Sequence, residues 1–253
     1  MIGIGIDIGS TATKAVVAND AGDIAEKLVM PTGFSSVEAA DEVAKRLQQA
    51  GYDANELPVV ATGYGRIAVP YANKVVTEIT CHARGAWALF AEDGTVVDVG
   101  GQDTKAIGLA AGKVRKFVMN DKCSAGTGRF LEIMADRLGV SQQELARLAA
   151  AGQPTVISNM CTVFAESEVI SLVGKGEPRE NIARGVIDSV VSRVATLVGQ
   201  VPSSRYFLTG GLCENDYVRT RLSEELSASV DSCENGRFAG ALGAALLAAE
   251  LDV

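Results

Sequence analysis

Two ten-residue stretches, DIGSTATKAV at residues 7–16 and DVGGQDTKAI at residues 98–107, follow one pattern, D-[I/V]-G-x-x-x-T-K-A-[V/I]. Asp7 and Asp98 stand 91 residues apart, as do Thr13 and Thr104. Each stretch lies between an apolar run (2–8; 95–99) and an alternating one (13–18; 104–109), the signature of two strands joined by a tight polar turn. Spacing and flanks agree together, which argues for a duplicated hairpin and so for two similar halves.

The rest of the chain supports strands followed by helices in each half. Residues 36–50 have helical periodicity, a serine at the start and Gly51 at the end, and 57–61 is a short apolar strand running into Thr62-Gly63-Tyr64-Gly65. After the second hairpin the pattern predicts a strand over 113–119 and helices over 127–138, 142–150, 162–173 and 178–201. A strand over 206–209 follows, then Gly210-Gly211 and helices over 214–226 and 238–249. The expected fold is α/β, with mixed sheets flanked by helices. Its boundary falls at Glu92-Asp93-Gly94, which makes halves of 1–93 and 94–253 and leaves the last helix free to pack back on the first half.

Charge and composition narrow the partners. Asp and Glu outnumber Lys and Arg by 31 to 23, and the net charge of −8 argues against nucleic acid or an anionic membrane. The opening MIGIGIDIGS reads as a strand entering a polar turn, not as a signal peptide. No run approaches the roughly 20 apolar residues of a spanning helix, the best candidate being 240–251. A cytoplasmic protein is expected. The five cysteines (Cys81, Cys123, Cys161, Cys213, Cys233) form no C-x-x-C, so they read as buried small side chains or as ligands.

A hairpin turn carrying an acid with glycines and hydroxyls offers backbone N–H groups to phosphate oxygens and a carboxylate to a metal. Two such turns would form a clamp. Asp7 and Asp98 occupy equivalent places and are candidates for Mg²⁺, directly or through water. Gly9, Ser10, Thr11, Gly100, Gly101 and Gln102 line the phosphates, and Gln102 is also a candidate for orienting an attacking water. Lys14 is placed to reach a phosphate, although its twin Lys105 shows that a lysine here can simply extend from a strand. The strand ending in Gly210-Gly211 admits close approach of a flat ligand. DIGST, VVDVGGQDTKA, LTGG and GRFAGALGAAL resemble the nucleotide motifs of the acetate and sugar kinase, Hsp70 and actin superfamily. That resemblance implies two ribonuclease-H-like domains and ATP.

Cys123 and Cys161 each precede a segment of helical period. A helix N-terminus carries unpaired N–H groups and about half a positive charge, which favours a bound anion or thiolate by about 0.3 to 1 kcal/mol. A 4Fe–4S cluster needs four thiolates, so two per chain imply a two-fold symmetric dimer; the other reading is two inert cysteines at helix ends. ATGYGR, TEITCHARGA, VDVGGQDTKAI, MNDKCSAGTGRF, CTVFAESEVIS and GALGAAL resemble the ATP-dependent activators of 2-hydroxyacyl-CoA dehydratases, of the BadF/BadG/BcrA/BcrD ATPase family, relatives of benzoyl-CoA reductase subunits. The resemblance implies a homodimer with one 4Fe–4S cluster on Cys123 and Cys161. It implies ATP/ADP and Mg, a ferredoxin or flavodoxin as electron donor, and a partner dehydratase or reductase. Cys81, inside a helix, and Cys213 and Cys233 read as buried.

The energetic scale explains why ATP would be spent. Lowering a cluster by about 200 mV takes near 5 kcal/mol per electron, more than one charge-assisted hydrogen bond supplies at about 1.5–3 kcal/mol. A rearrangement of whole elements is implied. Two other readings use the same nucleotide motifs. One is a small-molecule kinase with Asp103 as base, the other a non-catalytic redox-sensing module. The partner's identity and substrate are not written in this chain.

Overall fold

The computed structural model describes residues 1–158 and 161–251. In chain order the elements are β1 (Ile2–Ile8), β2 (Ala12–Asn19), β3 (Ile24–Pro31), α1 (Ser36–Gln49), β4 (Val59–Thr62), β5 (Lys74–Val75), α2 (Glu78–Phe90), β6 (Gly94–Val99), β7 (Thr104–Ala110), β8 (Lys113–Asn120), α3 (Gly128–Leu138), α4 (Gln142–Ala151), α5 (Thr162–Gly174), α6 (Arg179–Val198), β9 (Arg205–Gly210), α7 (Asp216–Leu226), β10 (Ser229–Asp231) and α8 (Ala239–Ala249). The strands build two five-stranded sheets, ordered β3-β2-β1-β4-β5 and β10-β9-β6-β7-β8. Read from the opposite edge, the second order repeats the first strand for strand, so the duplication seen in the hairpins extends over whole sheets.

Contacts group the chain into two units. Unit 1 is Met1–Asp93, Leu109–Lys116 and Asn235–Val253; unit 2 is Gly94–Gly108 and Phe117–Glu234. The sequence suggests one division at 93/94 with the last helix free to pack back on the first half; the contacts put α8 in unit 1 together with the tip of the β7–β8 hairpin, which the sequence leaves in the second half.

In unit 1, β1 pairs antiparallel with β2 and parallel with β4, giving a mixed sheet. The alternation in IGIGIDI assigns the two faces of β1. Ile4, Ile6 and Ile8 pack with Ala40, Val43 and Leu47 of α1, while Val16 and Ala18 of β2 pack on the other face against Ala241, Leu242, Ala245 and Leu246 of α8. Gly5 lets α8 lie directly on the strand, because a Cβ there would clash with the Ala241 carbonyl. Ser35 caps α1 by accepting from Glu38 N. In unit 2, β9 runs parallel to both β6 and β10, and the core joins Val97, Val99, Phe130, Met134, Ala165, Val169, Val186, Val190 and Leu208. Among the described residues no helix is long and apolar enough to cross a membrane.

Helices expected over 36–50, 127–138, 142–150, 162–173, 178–201, 214–226 and 238–249 are present with ends shifted by up to three residues. Three strands were not expected: β3, an edge strand with no clean alternation of burial, the two-residue β5 and the three-residue β10; α2, with Gly85 at its centre, was expected only as a helix around Cys81, without bounds.

Candidate functional site

In unit 1, Asp7 sits near the end of β1, 2% exposed, directly across the hairpin from Lys14. Lys14 Nζ reaches Asp7 Oδ2 at 3.1 Å. The other oxygen, Asp7 Oδ1, is buried and has no hydrogen-bond partner among the described residues. Such an atom normally costs stability unless something satisfies it. The turn between them is shaped by Gly9 N donating to Ala12 O, Thr32 N to Thr11 O, and Thr32 Oγ1 to Gly9 O at 2.7 Å. Gly9 and Ser10 are half-buried and Thr11 is exposed.

Unit 2 repeats the arrangement with one difference. Asp98, 3% exposed, receives Thr209 Oγ1 on Oδ1 at 3.2 Å and Lys105 Nζ on Oδ2 at 3.3 Å, so both of its oxygens are engaged. Lys105 is 1% exposed and also contacts Asp103 Oδ2 at 2.7 Å, which joins the buried Asp98 and Lys105 to the half-buried Asp103 in a triad. The matching position in unit 1 is Ala12, which has no carboxylate. Lys105 therefore does not merely extend off its strand; it is the centre of an ionic cluster. Gly100, Gly101 and Gln102 form the turn, with Gln102 exposed, Gly100 N donating to Asp103 O, and Gly100 leaving room for the Asp103 carboxylate.

A second repeated feature escaped the sequence reading. Thr62 lies opposite Asp7 in β4, and Thr209 lies opposite Asp98 in β9. Each is followed by a glycine of positive φ, Gly63 at +86° and Gly210 at +79°. A Cβ at Gly210 would come within 2.6 Å of Asp98 Oδ1, and one at Gly63 would clash with Asp7 Oδ1. Each unit thus closes its aspartate with a Thr-Gly step. Thr209 bonds its aspartate, whereas Thr62 Oγ1 is buried beside the Cys81 thiol and does not bond Asp7. The signal was present as ATG and LTG, but three residues are too few to stand out. Gly211 follows Gly210 with open space where a side chain would point, compatible with a flat ligand.

Of the five cysteines, Cys123 and Cys161 are exposed, Cys81 and Cys213 are buried and Cys233 is half-buried. Burial in α2 pushes the Cys81 thiol up to about 12, so it stays protonated. Cys161 is the N-cap of α5. Cys123 is not at a helix start: α3 begins five residues later at Gly128, and its leading N–H groups, Gly128 and Arg129, donate to Gly100 O and Gly101 O at 2.9 and 2.8 Å. Cys161 therefore stands at a helix start and Cys123 does not, and carbonyls of the second hairpin turn already occupy the leading α3 donors. Gly126 (φ +81°) and Gly128 serve the protein's own packing. A Cβ on Gly126 would lie 2.8 Å from Arg193 Cβ of α6, and one on Gly128 3.2 Å from Gly100 O. The two cysteine turns meet through Ser124 Oγ and Thr162 Oγ1, 2.7 Å apart.

Two units of one topology, each with a buried aspartate bonded to a lysine seven residues on and closed by a Thr-Gly step, define an actin-like, sugar-kinase-like nucleotide fold. A glucokinase of the ROK family from Streptomyces griseus shares that fold at TM-score 0.64 and 16% identity, over 98% of this chain and 99% of the glucokinase. The chain belongs to the BadF/BadG/BcrA/BcrD ATPase family, whose sequence profile matches residues 4–248. It is 41% identical to the (R)-2-hydroxyglutaryl-CoA dehydratase activating ATPase of Acidaminococcus fermentans, over 97% of this chain and 96% of that protein. It also superposes at TM-score 0.92, with 37% identity, on the activator of the 2-hydroxyisocaproyl-CoA dehydratase from Clostridium difficile with bound ADPNP, covering 99% of this chain and 95% of that one.

Proposed function

We propose that this protein is an ATP-hydrolysing activator that delivers single low-potential electrons to a partner 2-hydroxyacyl-CoA dehydratase or related reductase. The observation that carries the reading is the pair of exposed cysteines, Cys123 and Cys161, on turns that meet through a hydroxyl pair. Two thiolates per chain are half the ligand set of a 4Fe–4S cluster, so this donor set fits a cluster completed by the same two residues of a second copy in a homodimer. Bound there, the cluster supplies the electron. The named roles of the A. fermentans and C. difficile relatives support the activator assignment, and the ADPNP in the latter supports a nucleotide.

The chain's own residues divide the work. Gly9, Ser10, Thr11 and Lys14 of unit 1, and Gly100 and Gly101 of unit 2, bind phosphate oxygens; Gly210 and Gly211 admit the adenosine. Asp7, with one buried oxygen unpartnered, fits a Mg²⁺ ion or its water. Asp98, whose oxygens accept from Thr209 and Lys105, still has lone pairs to offer an ion directly or through water. Gln102, exposed on its turn, orients the attacking water. Asp103 contacts Lys105 Nζ at 2.7 Å and keeps the turn in place. A ferredoxin or flavodoxin in the cytoplasm is the donor the reading calls for.

Iron and acid-labile sulfide on anaerobically purified protein test the reading. About two irons per chain are expected, half of a four-iron cluster, with loss in both Cys123→Ala and Cys161→Ala. Full ATP turnover by a protein without iron would remove the electron-transfer role.

A further inference from the structure

The cysteine turns are bonded to the second nucleotide turn as well as to each other. All the contacts lie within unit 2. The carbonyls of Gly100 and Gly101 accept from Gly128 N and Arg129 N, so the turn and the first residues of α3 are joined by two backbone bonds. Thr104, buried one residue before Lys105, donates Oγ1 to Gly126 O at 2.7 Å and joins the same hairpin to the cysteine loop. Thr127 then turns back on the loop, its Oγ1 donating to Ser124 O at 2.7 Å and its N to the same carbonyl at 3.1 Å. Asn120 Nδ2 donates to Cys123 O and Ala125 O, closing the loop around Cys123. Gly126 lies against Arg193, which leaves the loop little room to absorb a shift.

The Ser124–Thr162 hydroxyl pair carries a polar bond from this loop to the Cys161 side. It has an unusual setting. Cys161 occupies the N-cap of α5 without a side-chain capping bond. Thr162 is buried at 8% exposure and Ser124 is half-buried, so their hydroxyl bond is partly withdrawn from water. Further along, α3 and α5 share non-directional apolar packing in the unit 2 core and the partly exposed Arg137–Glu166 ion pair, neither of which involves a residue of the two cysteine turns. A hydrogen bond is directional and sets the register of the turns it joins.

We propose that Ser124 and Thr162 are positioning residues that make the two thiol-bearing turns move as one when nucleotide shifts the Gly100-Gly101 turn. The inference rests on the function proposed above for its nucleotide and its thiols. It adds the route: turn carbonyls to the α3 donors, α3 to the Cys123 loop, and the hydroxyl pair to the Cys161 helix start. Removal of either hydroxyl leaves the first two links intact and cuts the third.

Amide hydrogen exchange of the full-length, anaerobically purified protein, read by mass spectrometry with and without ADPNP, tests this link. In the unsubstituted protein, ADPNP changes exchange both in peptides covering 123–129 and in those covering 162–169. In Thr162→Val the response at 162–169 is lost and that at 123–129 is kept, while Thr162→Ser restores both. Ser124→Ala, which removes the bond from its other side, gives the same split and serves if Thr162→Val does not fold. Retention of the 162–169 response in either hydroxyl-deficient variant overturns the proposal, as does an unsubstituted protein that responds at neither segment. Iron assayed on the same samples separates the two ideas: the expected exchange split in protein that holds no iron supports the hydroxyl link and removes the cluster.

Discussion

At the scale of single residues, the two aspartates that the repeated motif puts on an equal footing differ in what surrounds them. Asp98 is satisfied by Thr209 and Lys105, whereas Asp7 keeps one buried oxygen unpartnered. The motif identifies both acids, because an acid before a glycine in a hairpin turn is a local pattern. It sets Ala12 against Asp103 but does not show that Asp103 reaches Lys105, which gives Lys105 a second acid that Lys14 lacks at the matching position. Lys105→Met tests how much the triad matters. It leaves the buried Asp98 and the half-buried Asp103 without their shared cation, and breaking a buried pair this way costs about 3 to 5 kcal/mol. The expected outcome in chemical denaturation is a loss of about 3 kcal/mol with an unchanged slope. A loss under about 1 kcal/mol, in the range of exposed ion pairs, would mean that water screens the cluster.

At the scale of elements, α8 explains why some segments were readable and others were not. Its sequence AGALGAALLAA is buried almost all round, since it lies between the sheet and α2 in unit 1. Its glycine-alanine composition is the condition for that position. A Cβ at Gly243 would clash with the Cys81 carbonyl, and one at Gly85 of α2 with the Ala239 carbonyl, so the two helices approach backbone to backbone. Helices with an exposed polar face, such as α1 and α3, declare themselves by period. α2 did not, because the glycine that permits close packing also interrupts a helical pattern, and β3 did not, because an edge strand lacks a fully buried face. Gly243→Val should separate α8 from α2. The expected result is a loss of about 3 kcal/mol or more of stability, seen as a lower thermal midpoint, while Gly139→Ala at a helix end facing open space costs less.

At the scale of the whole molecule, the reading requires a second copy, because one chain supplies two of four thiolates. If the cluster bridges two chains, stripping its iron with a chelator under anaerobic conditions removes bonds that hold the dimer together. Light scattering should then show the mass falling from about twice 26.3 kDa toward one chain, and a mass unmoved by complete iron loss would place the interface elsewhere. The sequence by itself determined the duplication, the acid and glycine turns, the mixed α/β class and the two candidate thiols, because each depends on short-range spacing or on a repeat long enough to recognise. Tertiary structure alone decided that α8 belongs with unit 1, that Thr62-Gly63 mirrors Thr209-Gly210, that Lys105 bridges two acids and that Ser124 meets Thr162. Those facts join residues far apart in the chain. Their partners are chosen by the packing of whole elements, and no local period or propensity records that choice.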